Sequence, residues 1–149
     1  MHHNSESLTR QAITATRHCL TGCAIGEVLG MVITNAANLG AVASVAVSTA
    51  LAFGFGYGLT IAPLLRTGLG LRKALGLALA ADTVSIATME LSDNGFIVLV
   101  PGAINAGLTT ALFWVSLAVS LIVAFIITVP VNRILIKKGL GHAVIHHYH

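Results

Sequence analysis

Hydrophobic residues along the chain fall into four long segments separated by short connections. A membrane-spanning helix needs about 20 mostly apolar residues, because a helix rises about 1.5 Å per residue. Each of the four segments reaches that length, although the first and the third also contain acidic residues. The predicted spans are residues 18–37, 41–65, 74–100 and 108–136. The pattern therefore predicts an all-α protein with four transmembrane helices.

The composition agrees with a protein that lies in the bilayer. The chain has 149 residues, of which 56% are hydrophobic and only 9% are charged, and its mean hydropathy is +0.89. Charged residues make up about a quarter of an ordinary water-soluble domain, so that class is excluded. Residues 1–17 are polar and lack the apolar core of a cleavable signal peptide. We expect one integral membrane domain over residues 1–149, with the lipid bilayer as its surroundings and no nucleic-acid partner.

The basic residues predict how the helices are oriented. Short connections favour antiparallel neighbours, and hence an up-down-up-down bundle. All eight Lys and Arg residues lie before the first span, between the second and the third, or after the fourth. Because cytoplasmic connections are enriched in Lys and Arg, both termini are predicted to be cytoplasmic. The eight residues are Arg10, Arg17, Arg66, Arg72, Lys73, Arg133, Lys137 and Lys138.

The acidic residues inside the spans have no Lys or Arg at the same depth in the bilayer that could neutralise them. The first span contains Glu27, and the third contains Asp82, Glu90 and Asp93, whereas neither contains Lys or Arg. A carboxylate near the bilayer centre costs about 2.5–3.5 kcal/mol on insertion scales, so such groups normally face a bundle interior or a wet cavity. Protons, hydrogen bonds or a bound cation can neutralise them. The mismatch of charge therefore points to a site inside the bundle.

Depth along the helices predicts which of these groups meet. The first and third spans run in the same direction, and Glu27 and Asp82 lie nine and eight residues past the predicted starts of their spans. Both are then roughly 12–14 Å deep at the rise of an α-helix. By the same count Met31 and Met89 share a deeper layer with Glu90. The sequence thus predicts a midplane site in which Glu27 pairs with Asp82, together with Cys23 one turn before Glu27.

Two lines of residues run side by side along the first span, and within each line the residues are four positions apart in sequence. Residues four apart lie on one face of a helix. Small residues at this spacing let another helix approach closely in lipid, which predicts tight packing and a homo-oligomer. The first line consists of Cys19, Cys23, Glu27 and Met31, and the second of His18, Gly22, Gly26 and Gly30.

The residue types on these faces favour a transition metal, with copper first. Thiolate and thioether suit Cu(I), imidazole suits copper, zinc and nickel, and carboxylates alone would suit protons or harder cations. Because protons compete for the same ligands, we expect metal affinity to fall as the pH is lowered. No catalytic residue is predicted. The predicted metal ligands are His18, Cys19, Cys23, Glu27, Met31, Asp82, Met89, Glu90, Asp93 and, in the histidine-rich cytoplasmic tail of residues 141–149, His142 and His146.

Each of these residues also has an ordinary structural explanation. Cysteines and methionines in membranes often only fill space, and a histidine-rich tail can simply be solvated. Asp93 can be an interfacial residue or a cap, with Asn94-Gly95 forming a turn near the end of the third span. Glu27 and Asp82 resist this explanation best, unless they are protonated and hydrogen-bonded to each other.

Three segments carry a recognisable pattern. They are RHCLTGCAIGE at residues 17–27, ADTVSIATMELSDN at residues 81–94, and PVNR at residues 130–133 together with Gly141-His142. They resemble a family of small bacterial four-helix membrane proteins of unknown function, and the resemblance covers nearly the whole chain. It implies the same topology and a place in the bacterial inner membrane. Some relatives in that family are labelled in relation to copper oxidases, which implies a link to copper and no particular reaction.

The leading hypothesis is a membrane protein that binds or translocates a transition-metal cation, most readily copper, and it favours a transporter, channel or metal-binding protein over an enzyme. One alternative is a thiol or quinone redox protein using Cys19 and Cys23, although their spacing of four differs from the two-residue spacer of thioredoxin-like motifs. Another is an accessory or assembly subunit whose acids pair with basic residues of a larger membrane complex. A proton-coupled cation channel or carrier without soft-metal preference is the nearest variant of the leading hypothesis.

Overall fold

A computed structural model describes residues 2–140, with side chains described from residue 5 onward. Within that range the secondary structure consists of four long α-helices and one short 3₁₀ turn, which confirms the predicted all-α four-helix bundle. Each long helix is apolar enough to cross a membrane. The helices are α1 (His2–Ala36), α2 (Ala41–Arg66), α3 (Leu71–Leu99) and α4 (Ala111–Lys137), and the 3₁₀ turn is Ala103–Asn105.

Helix α1 extends far beyond its predicted span, and helix α3 is unbroken where the sequence offered a turn. Helix α1 begins at His2, far before residue 18, so its polar first turns continue the transmembrane helix. Helix α3 ends at Leu99, within one residue of its predicted end, and it continues through Asn94-Gly95, so the alternative of a turn there is wrong. Asn94 Nδ2 donates to the carbonyl oxygen of Glu90, 2.9 Å away, so this side chain folds back on its own helix. The carbonyl four residues earlier is within reach only in a continuing helix.

Helices α1 and α2 pack through small residues at the spacing seen in the sequence. A Cβ atom added at Gly22 would lie 2.7 Å from the Cα atom of Gly56, so the two backbones touch. Equivalent contacts follow at each turn, and they confirm the close packing predicted for this line of glycines. The three contacts are Gly22 with Gly56, Gly26 with Ala52, and Gly30 with Ser48.

Helices α1 and α3 run parallel with a constant register. Ser85 Oγ donates to Cys19 Sγ at 3.1 Å, a contact between residues 66 positions apart. Two turns further along, Glu27 contacts Asp93 at the same separation in sequence. Helix α4 runs the other way beside α1, and Asn132 Nδ2 near its end donates to Thr16 Oγ1 at 2.8 Å. These contacts fix which side chains meet inside the bundle.

The interior of the bundle contains many polar side chains, whereas its exterior is largely apolar. Large aliphatic side chains such as Leu91, Val115 and Ile126 are exposed, whereas Thr and Ser side chains and four of the acids are buried. That distribution suits a protein surrounded by lipid, where a polar group has to face other helices. All eight Lys and Arg residues are exposed at one end of the bundle, here called the basic end. The connections at 37–40 and 100–110 lie at the opposite end.

Candidate functional site

The buried acids lie along the interface between α1 and α3. Glu27 exposes 3% of its surface, Asp82 0%, Glu90 4% and Asp93 3%. The register of the two parallel helices divides them between two levels of the bundle. Glu27, Glu90 and Asp93 lie towards the opposite end, and Asp82 lies towards the basic end.

Glu27 and Asp93 form a pair of facing carboxylates. Their side chains are in contact across the α1–α3 interface. Among the described residues, neither oxygen of Glu27 accepts a hydrogen bond from a conventional donor, and the same holds for Oδ1 of Asp93. Because an ionised carboxylate only accepts hydrogen bonds, two of them in contact need a proton or a cation between them. This pair is the strongest candidate for a cation-binding position.

A cavity of about 300 Å³ leads to this pair from the opposite end of the bundle. Glu27 and Asp93 lie in its wall together with Met31 and polar side chains of α1, α2 and α3. The cavity also touches both connections at that end, so it joins the buried carboxylates to the bundle surface. Its polar lining residues are Glu27, Asn35, Ser44, Ser48, Asp93, Asn94 and Asn105.

The Cys23 thiol and the Glu90 carboxylate form a second pair, one helical turn closer to the basic end. Cys23 is completely buried and lies against Glu90. Thr49 of α2 also contacts the Glu90 carboxylate, and Asn94 Nδ2 lies 3.3 Å from its Oε2 atom. A thiol beside a carboxylate combines a soft and a hard ligand at one level of the bundle.

The centre of the bundle brings the soft side chains together. Cys19, Cys23 and Met89 belong to one contiguous buried cluster, in which Ile86 and Ala124 fill the remaining space. Both cysteines are free thiols. Two thiols and a thioether are ligands that Cu(I) prefers.

At the basic end, Asp82 belongs to a separate polar group. His18 Nε2 lies 3.0 Å from Thr60 Oγ1, and Thr60 also lies near the Asp82 carboxylate. Asp82 and Thr60 are buried, and His18 is half-buried. The group therefore links α1, α2 and α3.

The predicted pairing of Glu27 with Asp82 is wrong. Glu27 meets Asp93, which lies eleven residues beyond Asp82 on α3, or about 16 Å at the rise of a helix. The prediction counted depth from the first apolar residue of each span, whereas α1 begins well before its apolar part. The predicted shared layer of Met31 and Met89 is wrong for the same reason, because Met89 belongs to the buried cluster of Cys19 and Cys23 while Met31 lines the cavity.

The predicted ligands thus occur in pairs and small groups. Within residues 5–140, no set of three or more His, Cys, Asp or Glu side chains converges on one metal position. His142 and His146 lie outside the described residues. The remaining predicted ligands are all on or beside the α1–α3 interface or in the cavity wall.

Several polar side chains of the interior were missed by the sequence analysis. On helix α4, small polar residues at intervals of four positions or a multiple of four are buried in the bundle. Helix α2 places Thr49 beside Glu90 and Thr60 beside Asp82. The spacing in α4 is visible in the sequence and could have identified that face. The buried polar residues of α4 are Ser116, Ser120, Thr128 and Asn132.

The fold and the buried groups define a class: a four-helix membrane protein with a carboxylate- and thiol-lined interior reached by a cavity from one end. Residues 9–141 match the family described as domain of unknown function DUF4396, and the chain belongs to that family. No curated protein and no solved structure matches the chain.

Proposed function

We propose that this protein binds a transition-metal cation inside the membrane and passes it through the bundle, with copper as the ion best suited to the ligands. The observation that carries the proposal is the Glu27–Asp93 pair, two facing carboxylates in the wall of a cavity and without Lys or Arg at their level. A cation between them would offset both charges and the cost of burying them.

The order of the groups supports passage along the α1–α3 interface. The cavity leads to Glu27 and Asp93, and the Cys23–Glu90 pair lies one turn deeper. Cys19 and Met89 continue the same cluster towards the basic end. Conduction requires sites that bind an ion well enough to admit it and weakly enough to release it. Pairs of ligands in successive layers meet that requirement better than one complete coordination cage.

The soft side chains favour copper over a hard cation. A hard cation would be served by oxygen ligands alone, whereas the groups deeper in the bundle include two thiols and a thioether beside the Glu90 carboxylate. We further propose that the basic end faces the cytoplasm of a bacterial cell and that the protein works in the inner membrane as a homo-oligomer. The positive-inside distribution supports that orientation.

Metal analysis of the purified, tag-free protein tests the proposal. The wild type is expected to bind copper, and the double variant Glu27→Gln with Asp93→Asn is expected to lose it. Glu6→Gln removes an exposed acid of α1 and serves as the matched control. Circular dichroism confirms that each variant remains helical. Full copper content in the double variant, or no metal in the wild type after incubation with Cu(I), would rule the proposal out.

A further inference from the structure

Helix α4 carries two features close together near the basic end, a proline and a buried polar contact with α1. Pro130 lies inside the helix, which continues past it to Lys137. Asn132 Nδ2 donates to Thr16 Oγ1 at 2.8 Å, and the Thr16 hydroxyl donates in turn to the carbonyl oxygen of Ala12 at 2.7 Å. Asn132 and Thr16 are both buried. This contact therefore ties the end of α4 to α1 inside the bundle.

The Asn132–Thr16 contact lies between the centre of the bundle and the basic end. Ala124 belongs to the buried central cluster that contains Cys19. Asn132 lies eight residues further along α4, about 12 Å nearer the basic end at the rise of a helix. The cavity, in contrast, reaches the interior from the opposite end. In the described part of the chain, the interior is thus open towards the opposite end and closed where Asn132 meets Thr16.

Thr128 lies between the central cluster and this contact, and its hydroxyl has no hydrogen-bond partner among the described residues. The side chain is completely buried. Threonines elsewhere in the helices, such as Thr34 and Thr88, donate to the carbonyl oxygen four residues earlier. An unpaired buried hydroxyl is costly, which points to a partner that Thr128 acquires in another state of the protein. Water would become that partner if the end of α4 moved away from α1.

Pro130 provides a point at which α4 can bend. Proline has no N–H group, so α4 lacks the hydrogen bond to the carbonyl oxygen of Ile126, and helices commonly bend at such positions. Pro130 precedes Asn132 and follows Thr128, so bending there moves Asn132 and leaves the central part of α4 in place. Helix α1 is held against α2 by backbone contact at Gly26. The end of α4 is therefore the part that can move relative to α1.

We propose that the last two turns of α4, residues 131–137, form a gate at the basic end that opens by bending at Pro130. The structure shows the closed state, in which Asn132 is bonded to Thr16. In the open state this hydrogen bond is broken, water reaches the Thr128 hydroxyl, and the central cluster becomes accessible from the basic end. The gate deepens the proposed function and rests on it, because an ion that enters through the cavity needs an exit at the other end. Alternate opening of the two ends around a fixed site is how carriers move their substrates.

Distance measurements by double electron–electron resonance test the gate without any metal. Helices α2 and α4 both pack against α1 and α3, and so lie on opposite sides of that pair. Spin labels attached in Arg66→Cys and Lys137→Cys, both exposed positions, therefore report how far the end of α4 moves. The background carries Cys19→Ala and Cys23→Ala so that only the introduced thiols are labelled. We expect two distances, the longer one from the open gate.

Three further changes in the labelled protein separate the gate from a general loosening of the bundle. Pro130→Ala restores the missing backbone hydrogen bond, so the population at the longer distance should fall severalfold. Asn132→Leu removes the bond to Thr16, so that population should rise about threefold or more relative to the shorter one. Pro63→Ala is the matched control, since Pro63 lies inside α2 at the same end, and it should change neither population. A single distance in the labelled protein, or equal effects of Pro130→Ala and Pro63→Ala, would overturn the gate.

Uptake of Cu(I) by proteoliposomes tests the role of the gate in passage. Pro130→Ala leaves the Glu27–Asp93 pair untouched, so it should bind as much copper as the wild type and transport it about tenfold more slowly, because the open state is rarer. Pro63→Ala should transport copper at the wild-type rate. Wild-type transport by Pro130→Ala, or loss of its copper binding, would overturn the gate. Absence of copper binding by the wild type refutes the proposed function alone, because the distance measurements decide on the gate without metal.

Discussion

The contact between α1 and α2 predicts the effect of adding a single methyl group at Gly26. The added carbon would lie 2.6 Å from the carbonyl carbon of Leu51 and closer still to the backbone of Ala52. Carbon atoms pack best at about 3.5–4.0 Å, so the helices would have to separate by about 1 Å. Backbone atoms cannot rotate out of the way as the end of a side chain can.

The expected cost of Gly26→Ala is about 1–3 kcal/mol, the usual range for overpacking a well-packed site. Gly54 lies on the open side of α2, with nothing near an added Cβ, and provides the matched control. Gly54→Ala is expected to be neutral or to stabilise the protein by up to about 1 kcal/mol, because Ala is the better helix former. The two variants should therefore move the free energy of unfolding in opposite directions.

Equilibrium unfolding in mild detergent, followed by circular dichroism or by a tertiary-structure probe, measures both variants on one scale. A second consequence is functional, because α1 carries Cys23 and Glu27 on the neighbouring face and would move with its backbone. Gly26→Ala should thus weaken copper binding although it touches no ligand. Equal stability of Gly26→Ala and Gly54→Ala would refute the close α1–α2 contact.

Three further outcomes follow from individual contacts. Asn132→Leu removes the hydrogen bond to Thr16 and is expected to lower the free energy of unfolding by about 0.6–1.7 kcal/mol in the same assay. A variant as stable as the wild type, or more stable, would contradict this prediction. Cys23→Ser replaces a soft side chain by a hard one, so the affinity for Cu(I) should fall more than the affinity for a hard divalent cation such as Mn²⁺. Competition titration measures both affinities, and equal losses would show that the thiol is not a ligand. Lowering the pH should weaken copper binding, because protons compete for the Glu27–Asp93 pair and for the thiols, and affinity that is constant from neutral to acidic pH would argue against carboxylate and thiolate ligands.

The buried acids show which features of the site could be predicted from the sequence and which could not. The burial of the four acids could be predicted, since an uncompensated acid in a span is normally directed to the interior of the bundle. The partners could not be predicted, because four buried acids allow several pairings and the register between α1 and α3 selects one. Counting from the apolar edge of each span placed Glu27 beside Asp82, whereas packing placed it beside Asp93. The polar contributions of Thr49 and Thr60 also depend on that register.

The sequence alone determined the four apolar helices, the gathering of Lys and Arg at one end and the line of glycines on α1, because span length, charge distribution and a spacing of four are local properties. The tertiary structure alone decided which residues face each other across the helices. A helix can slide along its neighbour by a turn without changing its own hydrophobic pattern, so only the fit of side chains against Gly26, Ser85 and their counterparts fixes its height. This axial register between the helices produces the Glu27–Asp93 pair, the cavity that reaches it, and the separate position of Asp82.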